Sequence, residues 1–176
     1  RPFKRVAIVT KNLRYHEAVV SSLCTTLAKD EAAYFSVKVC HTDPRNKINE
    51  NSVIEGILRD KPDLVVAVGA GLAQIAKGLI TKRAPSIPLV FAGASNPVGL
   101  GLVNVDHRPG CNVTGTTSLP EDSTLCIQLL TALLPTIKRI ALPYCTAAGP
   151  DIELACIAIK DYCNKKGIAV VLMPVE

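Results

Sequence analysis

At 176 residues the chain suffices for one ordinary domain, or for one domain and part of a second, and 48% hydrophobic residues can fill a core. Charged residues make up 20% and are interspersed, which excludes a disordered chain, and no apolar run reaches the roughly 18 residues that span a membrane. The formal charge of +5 is scattered in pairs such as Lys82-Arg83 and Lys165-Lys166, with no basic run carrying aromatics, so no nucleic-acid partner is expected.

The apolar residues are aliphatic and fall in short runs, the pattern of strands covered by helices on both faces. In chain order, Arg5–Thr10 reads as a strand and Tyr15–Lys29 as a helix with Val19, Val20, Leu23 and Leu27 on one stripe. Tyr34–His41 is a strand, Asp43–Asn46 a turn, and Ile48–Asp60 a helix that turns Ile48, Val53, Ile57 and Leu58 inward before Pro62. Asp63–Val68 is a buried strand, Gly71–Thr81 a helix, Pro88–Ala92 a strand and Asn112–Thr116 a short strand. Glu121–Leu134 is a helix set between Pro120 and Pro135. Arg139–Tyr144 is a strand, Asp151–Lys166 a helix closed by Gly167, and Ile168–Met173 a final strand.

Strands that alternate with helices predict an α/β fold, a parallel sheet with right-handed crossovers and helices on both faces. Residues 98–120 break the alternation with a long stretch rich in Gly and Pro. This places a boundary between a first lobe at 1–117 and a partial second lobe at 118–176. Two strands are too few for an independent sheet. The tail is therefore expected to extend the first sheet or to pair with a second copy, a homodimer that completes the lobe in trans.

Ligands of open α/β sheets sit at the carboxyl ends of the strands, and the loops there are small and polar. Gly69-Ala70-Gly71 follows the third strand and opens a helix, where backbone N–H groups can meet an anionic group. It lacks the third glycine of a dinucleotide fingerprint and follows the wrong strand, so no nucleotide cofactor is expected. Gly93-Ala94-Ser95-Asn96-Pro97 is similar to a nucleophile elbow, with Pro97 replacing the second glycine. A small flavodoxin-like hydrolase or transferase using Ser95 or a cysteine is thus an alternative, and it requires a base within reach. The seven cysteines form no Cys-x-x-Cys and no zinc-type spacing with histidine, so no metal site is expected, and their odd number leaves at least one thiol unpaired within a monomer. Asn112-Val113-Thr114 matches a glycosylation acceptor inside a strand, which reads as coincidence.

Several runs together resemble a known family. They are Lys61-Pro62-Asp63-Leu64-Val65-Val66-Ala67-Val68-Gly69, the strand Ile87–Ala92 leading to Ser95-Asn96-Pro97, Pro109-Gly110-Cys111-Asn112-Val113-Thr114-Gly115, and Leu134-Pro135-Thr136-Ile137-Lys138-Arg139-Ile140. In combination they are similar to ABC transporter substrate-binding proteins of the tryptophan/tyrosine type, from about residue 5 to the end. The resemblance implies a type I periplasmic-binding fold of two α/β lobes closing on a small molecule, an amino acid among the candidates. It also implies docking on an ABC permease in the membrane, no enzymatic activity and no cofactor. It implies a periplasmic protein or a cell-surface lipoprotein whose signal peptide is not part of these residues. Carried over by position, the ligand would meet Asn12, Gly69, Ala70, Gly71, Ser95, Asn96, Thr116, Thr117, Ser118, Cys145 and Thr146.

Asn96 and Ser118 stand where the family usually has Asp, and Thr146–Pro150 replaces a more polar second-lobe loop. A ligand ammonium would lose two charged partners, each worth about 1.5–3 kcal/mol. This shifts the expectation toward a neutral or anionic solute, or toward a binding module that has lost transport. The family is as a rule much longer, so a chain truncated in the second lobe is expected.

Overall fold

Branched aliphatic runs lie side by side in a five-stranded, all-parallel sheet of order β2-β1-β3-β4-β5. Its strands are β1 (Phe3–Lys11), β2 (Tyr34–Thr42), β3 (Leu64–Val68), β4 (Leu89–Ala92) and β5 (Val113–Thr116). The connecting helices are α1 (Arg14–Ala28), α2 (Lys47–Arg59) and α3 (Ala70–Arg83). The computed structural model describes residues 3–30, 34–43, 47–104, 112–117, 123–145 and 150–175. The expected turn beyond Asp43, the Ile48 side chain, Cys111, Ser118, Pro120 and Thr146 lie outside the described set.

Strand order explains which face each helix covers. The chain passes from β1 to β2 in one direction through α1, then returns the other way through α2 and α3. Right-handed crossovers therefore put α1 on one face and the mutually packed α2 and α3 on the other. On the first face Val6, Ile8, Val66 and Val68 meet Val20, Leu23, Cys24 and Leu27 of α1. On the second, Ala7, Val9, Val65 and Ala67 are buried together with Ile54, Ile57, Leu58, Leu72, Ala73, Ala76 and Ile80. Ile54 is a core residue absent from the expected stripe of α2, and Val53 is only half-buried.

Val19 departs from its expected place, being 36% exposed. It borders a largely apolar groove of about 550 Å³ walled by Ala18, Leu23 and Leu27 of α1 and by Val66, Val90 and Ala92 of the sheet. The stripe of α1 covers the middle of the sheet, and Val19 lies at its rim.

Residues divide into two compact units, Arg1–Ser118 and Leu119–Glu176. The second contains α4 (Leu125–Leu133), β6 (Arg139–Cys145), α5 (Pro150–Lys165) and β7 (Ala169–Val175). The tail does not extend the first sheet: β6 and β7 form a separate two-stranded parallel sheet. Packing supplies what two strands lack. Ile127, Ile140, Cys163 and Ile168 form a core with Leu130, Ile137, Ile159 and Val170 around it. Gly167 closes α5 with a left-handed φ of 68°, as its position after the helical pattern requires.

Helix α4 starts later than expected. Residues 123–124 form a turn, and Thr124 accepts a hydrogen bond from Gln128 Nε2 at 2.8 Å. Leu125, Leu129 and Leu133 of α4, with Val171, Met173 and Val175 of β7, remain exposed. Parallel sheets are normally covered on both faces, so this apolar surface is unusual.

Candidate functional site

Parallel pairing brings the carboxyl ends of the first five strands into one line. Lys11 pairs with Thr42, Val68 with Ala92, and Ala92 with Thr116. The ladder runs one residue further, with Asn12 N–H donating to Thr42 O (3.3 Å), Gly69 N–H to Ala92 O (2.8 Å) and Gly93 N–H to Thr116 O (3.0 Å). The geometry thus gathers Asn12, Gly69, Ala70, Gly71, Ser95, Asn96, Thr116 and Thr117 along one edge. Asn12, Thr116 and Thr117 are exposed, Gly69, Gly71 and Asn96 half-buried, and Ala70 and Ser95 buried. Cys145 ends β6 in the second unit and is exposed.

Each loop is held by the local sequence. Asn96 Oδ1 accepts the Gly99 N–H at 2.8 Å, and Leu100 N–H donates to Asn96 O at 2.9 Å. Gln74 Nε2 and Lys77 Nζ of α3 donate to the carbonyls of Leu100 and Gly101. The side-chain oxygen of Asn96 thus closes the loop locally, while Gln74 and Lys77 fasten its far end to α3. Asn112 is also structural, since its Nδ2 donates to Pro85 O and Ile87 O, both at 2.8 Å. That amide is committed to the start of β4 rather than presented as a glycosylation acceptor.

Gly69 caps α3 with φ 95° and ψ 148°, a conformation that L residues avoid, and no side chain caps the helix. A Cβ at this position would also stand 3.1 Å from His16 Cε1. Glycine here serves both the turn and the close approach of the imidazole.

Beneath the edge lies a polar cluster that sequence reasoning missed. Thr10, His16, Thr42 and Glu50 are all buried. Thr42 Oγ1 donates to Thr10 O (3.4 Å), Thr10 Oγ1 to Lys11 O (3.2 Å), and Thr10 Oγ1 lies 3.2 Å from His16 Nδ1. Lys11 Nζ and Glu50 Oε1 form an ion pair at 3.2 Å, with side chains only 15% and 4% exposed. Burial first, and then the Lys11 charge, hold the imidazole of His16 below its ordinary value, while a hydrogen bond with the Lys11 backbone acts the other way. The only local hint was that β1 ends in Thr-Lys instead of an aliphatic residue. Nothing local links Lys11 to Glu50.

Three of the thiols are set against nucleophilic chemistry. Burial pushes Cys40, Cys156 and Cys163 upward, opposite to the shift of an activated thiolate. Among the described residues no group of three or more His, Cys, Asp or Glu is placed to hold a metal.

Comparison with known proteins adds four findings. The family described as ABC transporter substrate binding protein matches residues 26–176. A tyrosine-binding protein of Clostridioides difficile is 30% identical over 138 residues, covering 77% of this chain and 38% of its own length. Among solved structures, an ABC domain from Streptococcus pneumoniae in complex with L-Trp has a TM-score of 0.73 at 21% identity, covering 99% of this chain and 58% of that one. A conserved domain protein from Vibrio cholerae has a TM-score of 0.70 at 23% identity, covering 98% and 57%. The chain thus spans less than two thirds of these relatives' length.

Proposed function

The chain belongs to the ABC transporter substrate-binding protein family, and on that premise we propose that it is the solute-binding component of an importer. The reading rests on one observation above all. Five parallel strands end in line, and the loops beyond them bring Asn12, the Gly69–Gly71 turn, Ser95, Asn96 and Thr116-Thr117 to one edge. Such an edge offers hydroxyls, amides and a helix N-terminus, which suit the carboxylate and polar groups of a small solute.

An amino acid is the solute class we propose. The tyrosine-binding relative supports it, as does the donor-rich turn at the start of α3. Ser118, Cys145 and Thr146 are proposed to complete the contacts, with residues 118–176 acting as part of the second lobe. The protein would work outside the cytoplasmic membrane, in the periplasm or as a cell-surface lipoprotein, and deliver its solute to an ABC permease. No helix among the described residues is long and apolar enough to cross a membrane.

A thermal-shift screen tests the reading with L-tyrosine, L-tryptophan, other amino acids and small organic acids. A ligand at a hundredfold its dissociation constant stabilises the native state by about 2.7 kcal/mol, a shift of several degrees. A flat response to every amino acid would reject the proposed class. A response to neutral or anionic acids alone would move it toward those solutes.

Pairing with a second copy is the further partner we propose, because Leu125, Leu129, Leu133, Val171 and Met173 leave the second unit with exposed apolar surface. Size-exclusion chromatography with light scattering should read a dimer, and a strict monomer at high concentration rejects it.

A further inference from the structure

His16 is 2% exposed at the start of α1 and joins two strand ends of the edge described above. Thr10 Oγ1 gives its own proton to Lys11 O at 3.2 Å, which turns a lone pair toward His16 Nδ1, also at 3.2 Å. A ring protonated on Nδ1 completes this arrangement, and its second proton then goes to Nε2. On the side of Cε1 and Nε2 the ring lies against Gly69, where an added Cβ would stand 3.1 Å and 3.3 Å from those two atoms. Gly69 is fixed in turn by its N–H bond to Ala92 O. The imidazole is therefore seated between the end of β1 and the turn that opens α3.

We infer that His16 is a positioning residue for the Gly69–Gly71 turn, and that a proton on Nε2 displaces this turn and weakens solute binding. The inference rests on the proposed solute-binding edge for its effect on binding, but not for its effect on the turn. The charges around the ring explain the direction. From β1 comes the Lys11 cation, and from α2 comes Glu50, already paired with Lys11 at 3.2 Å. The first turn of α3 carries no acidic side chain, only its positive helix end. On α1 itself Arg14 and Glu17 are exposed, and from β2 Thr42 is buried while His41 is exposed. A second proton on the ring thus meets Lys11 and the positive end of α3. Burial first, and the Lys11 charge second, lower the pKa of the imidazole, against a hydrogen bond with the Lys11 backbone that raises it.

The test is an NMR titration of the isotope-labelled chain between about pH 4.5 and 7.5, following the His16 imidazole and the amides of Gly69, Ala70 and Gly71. The amides are expected to move with the midpoint of the imidazole, below about 6.5, and to lose that dependence in His16→Gln. Amides that stay fixed while His16 titrates, an imidazole that does not titrate in this window, or an unchanged amide profile in His16→Gln would each overturn the inference. If His16→Gln does not fold, Thr10→Val keeps the imidazole and removes its Nδ1 partner. The shared midpoint must then shift, and an unchanged midpoint overturns the inference.

A second arm uses L-tryptophan as probe in calorimetry. Its affinity should fall by up to about tenfold per pH unit below the midpoint in the parent and stay level in His16→Gln. Parallel decline in both proteins overturns the coupling to binding. An absence of L-tryptophan binding at every pH counts against the proposed solute class, and the amide titration still decides the role of His16.

Discussion

Gly115→Ala is expected to cost about 3 kcal/mol or more of folding stability, the upper range for overpacking in a well-packed site. Gly115 pairs with Phe91 across β4 and β5. A Cβ on it would run into the carbonyl oxygen of Phe91 and into its ring carbons. The carbonyl is part of the strand backbone and cannot swing away as a flexible side chain could. Phe91 itself is buried, so a shift of its ring disturbs the core around it. Relief requires β5 to move off β4, which also carries Thr116 and Thr117 away from the edge. Urea unfolding monitored by circular dichroism measures the cost, and the same variant should lose solute binding. A loss below about 1 kcal/mol would mean that β5 is held less closely than described.

Lys11→Met is expected to lower stability by about 3 kcal/mol, because removing one partner of a buried pair strands the other charge. Glu50 is nearly enclosed, with its side chain 4% exposed, and Lys11 Nζ at 3.2 Å is its counter-charge. The stem of Lys11 is kept approximately by methionine, so lost packing contributes little. The control is the double variant Lys11→Met with Glu50→Gln, which removes both charges and should recover part of the loss. Chemical denaturation of the four proteins completes the cycle. A double variant no more stable than Lys11→Met alone would show that the pair itself carries little of the effect.

These sites differ in how far they could be read from local sequence. The aliphatic run Leu64–Val68 announces a strand buried on both faces, and the structure places it between β1 and β4. Gly167 after the α5 pattern announces a left-handed terminator, and its φ is 68°. The small polar loops after Val68 and Ala92 announce a carboxyl edge because strand polarity and right-handed crossovers leave few alternatives. Each of these follows from periodicity or backbone conformation, which are properties of neighbouring residues.

Local sequence was silent about the roles that depend on distant partners. Asn96 reads as a ligand contact from the sequence, and only the fold adds its second role, in which its side-chain oxygen accepts the Gly99 N–H. The tail lacked enough strands for a sheet by the usual count, yet α4 and α5 supply a core that supports two. Thr10, His16 and Gly69 meet only because the β1–α1 and β3–α3 turns lie side by side at the edge, and Lys11 meets Glu50 only because α2 returns across β1.

The sequence by itself thus determined the alternation of strands and helices, the parallel sheet and the edge on which its polar loops gather. Patterns of burial and φ are written into consecutive residues. The tertiary structure alone decided the ion pair beneath that edge, the imidazole against Gly69 and the bare approach of Gly115 to Phe91. Those depend on chain segments brought together across the sheet, where a few tenths of an ångström decide whether a side chain fits.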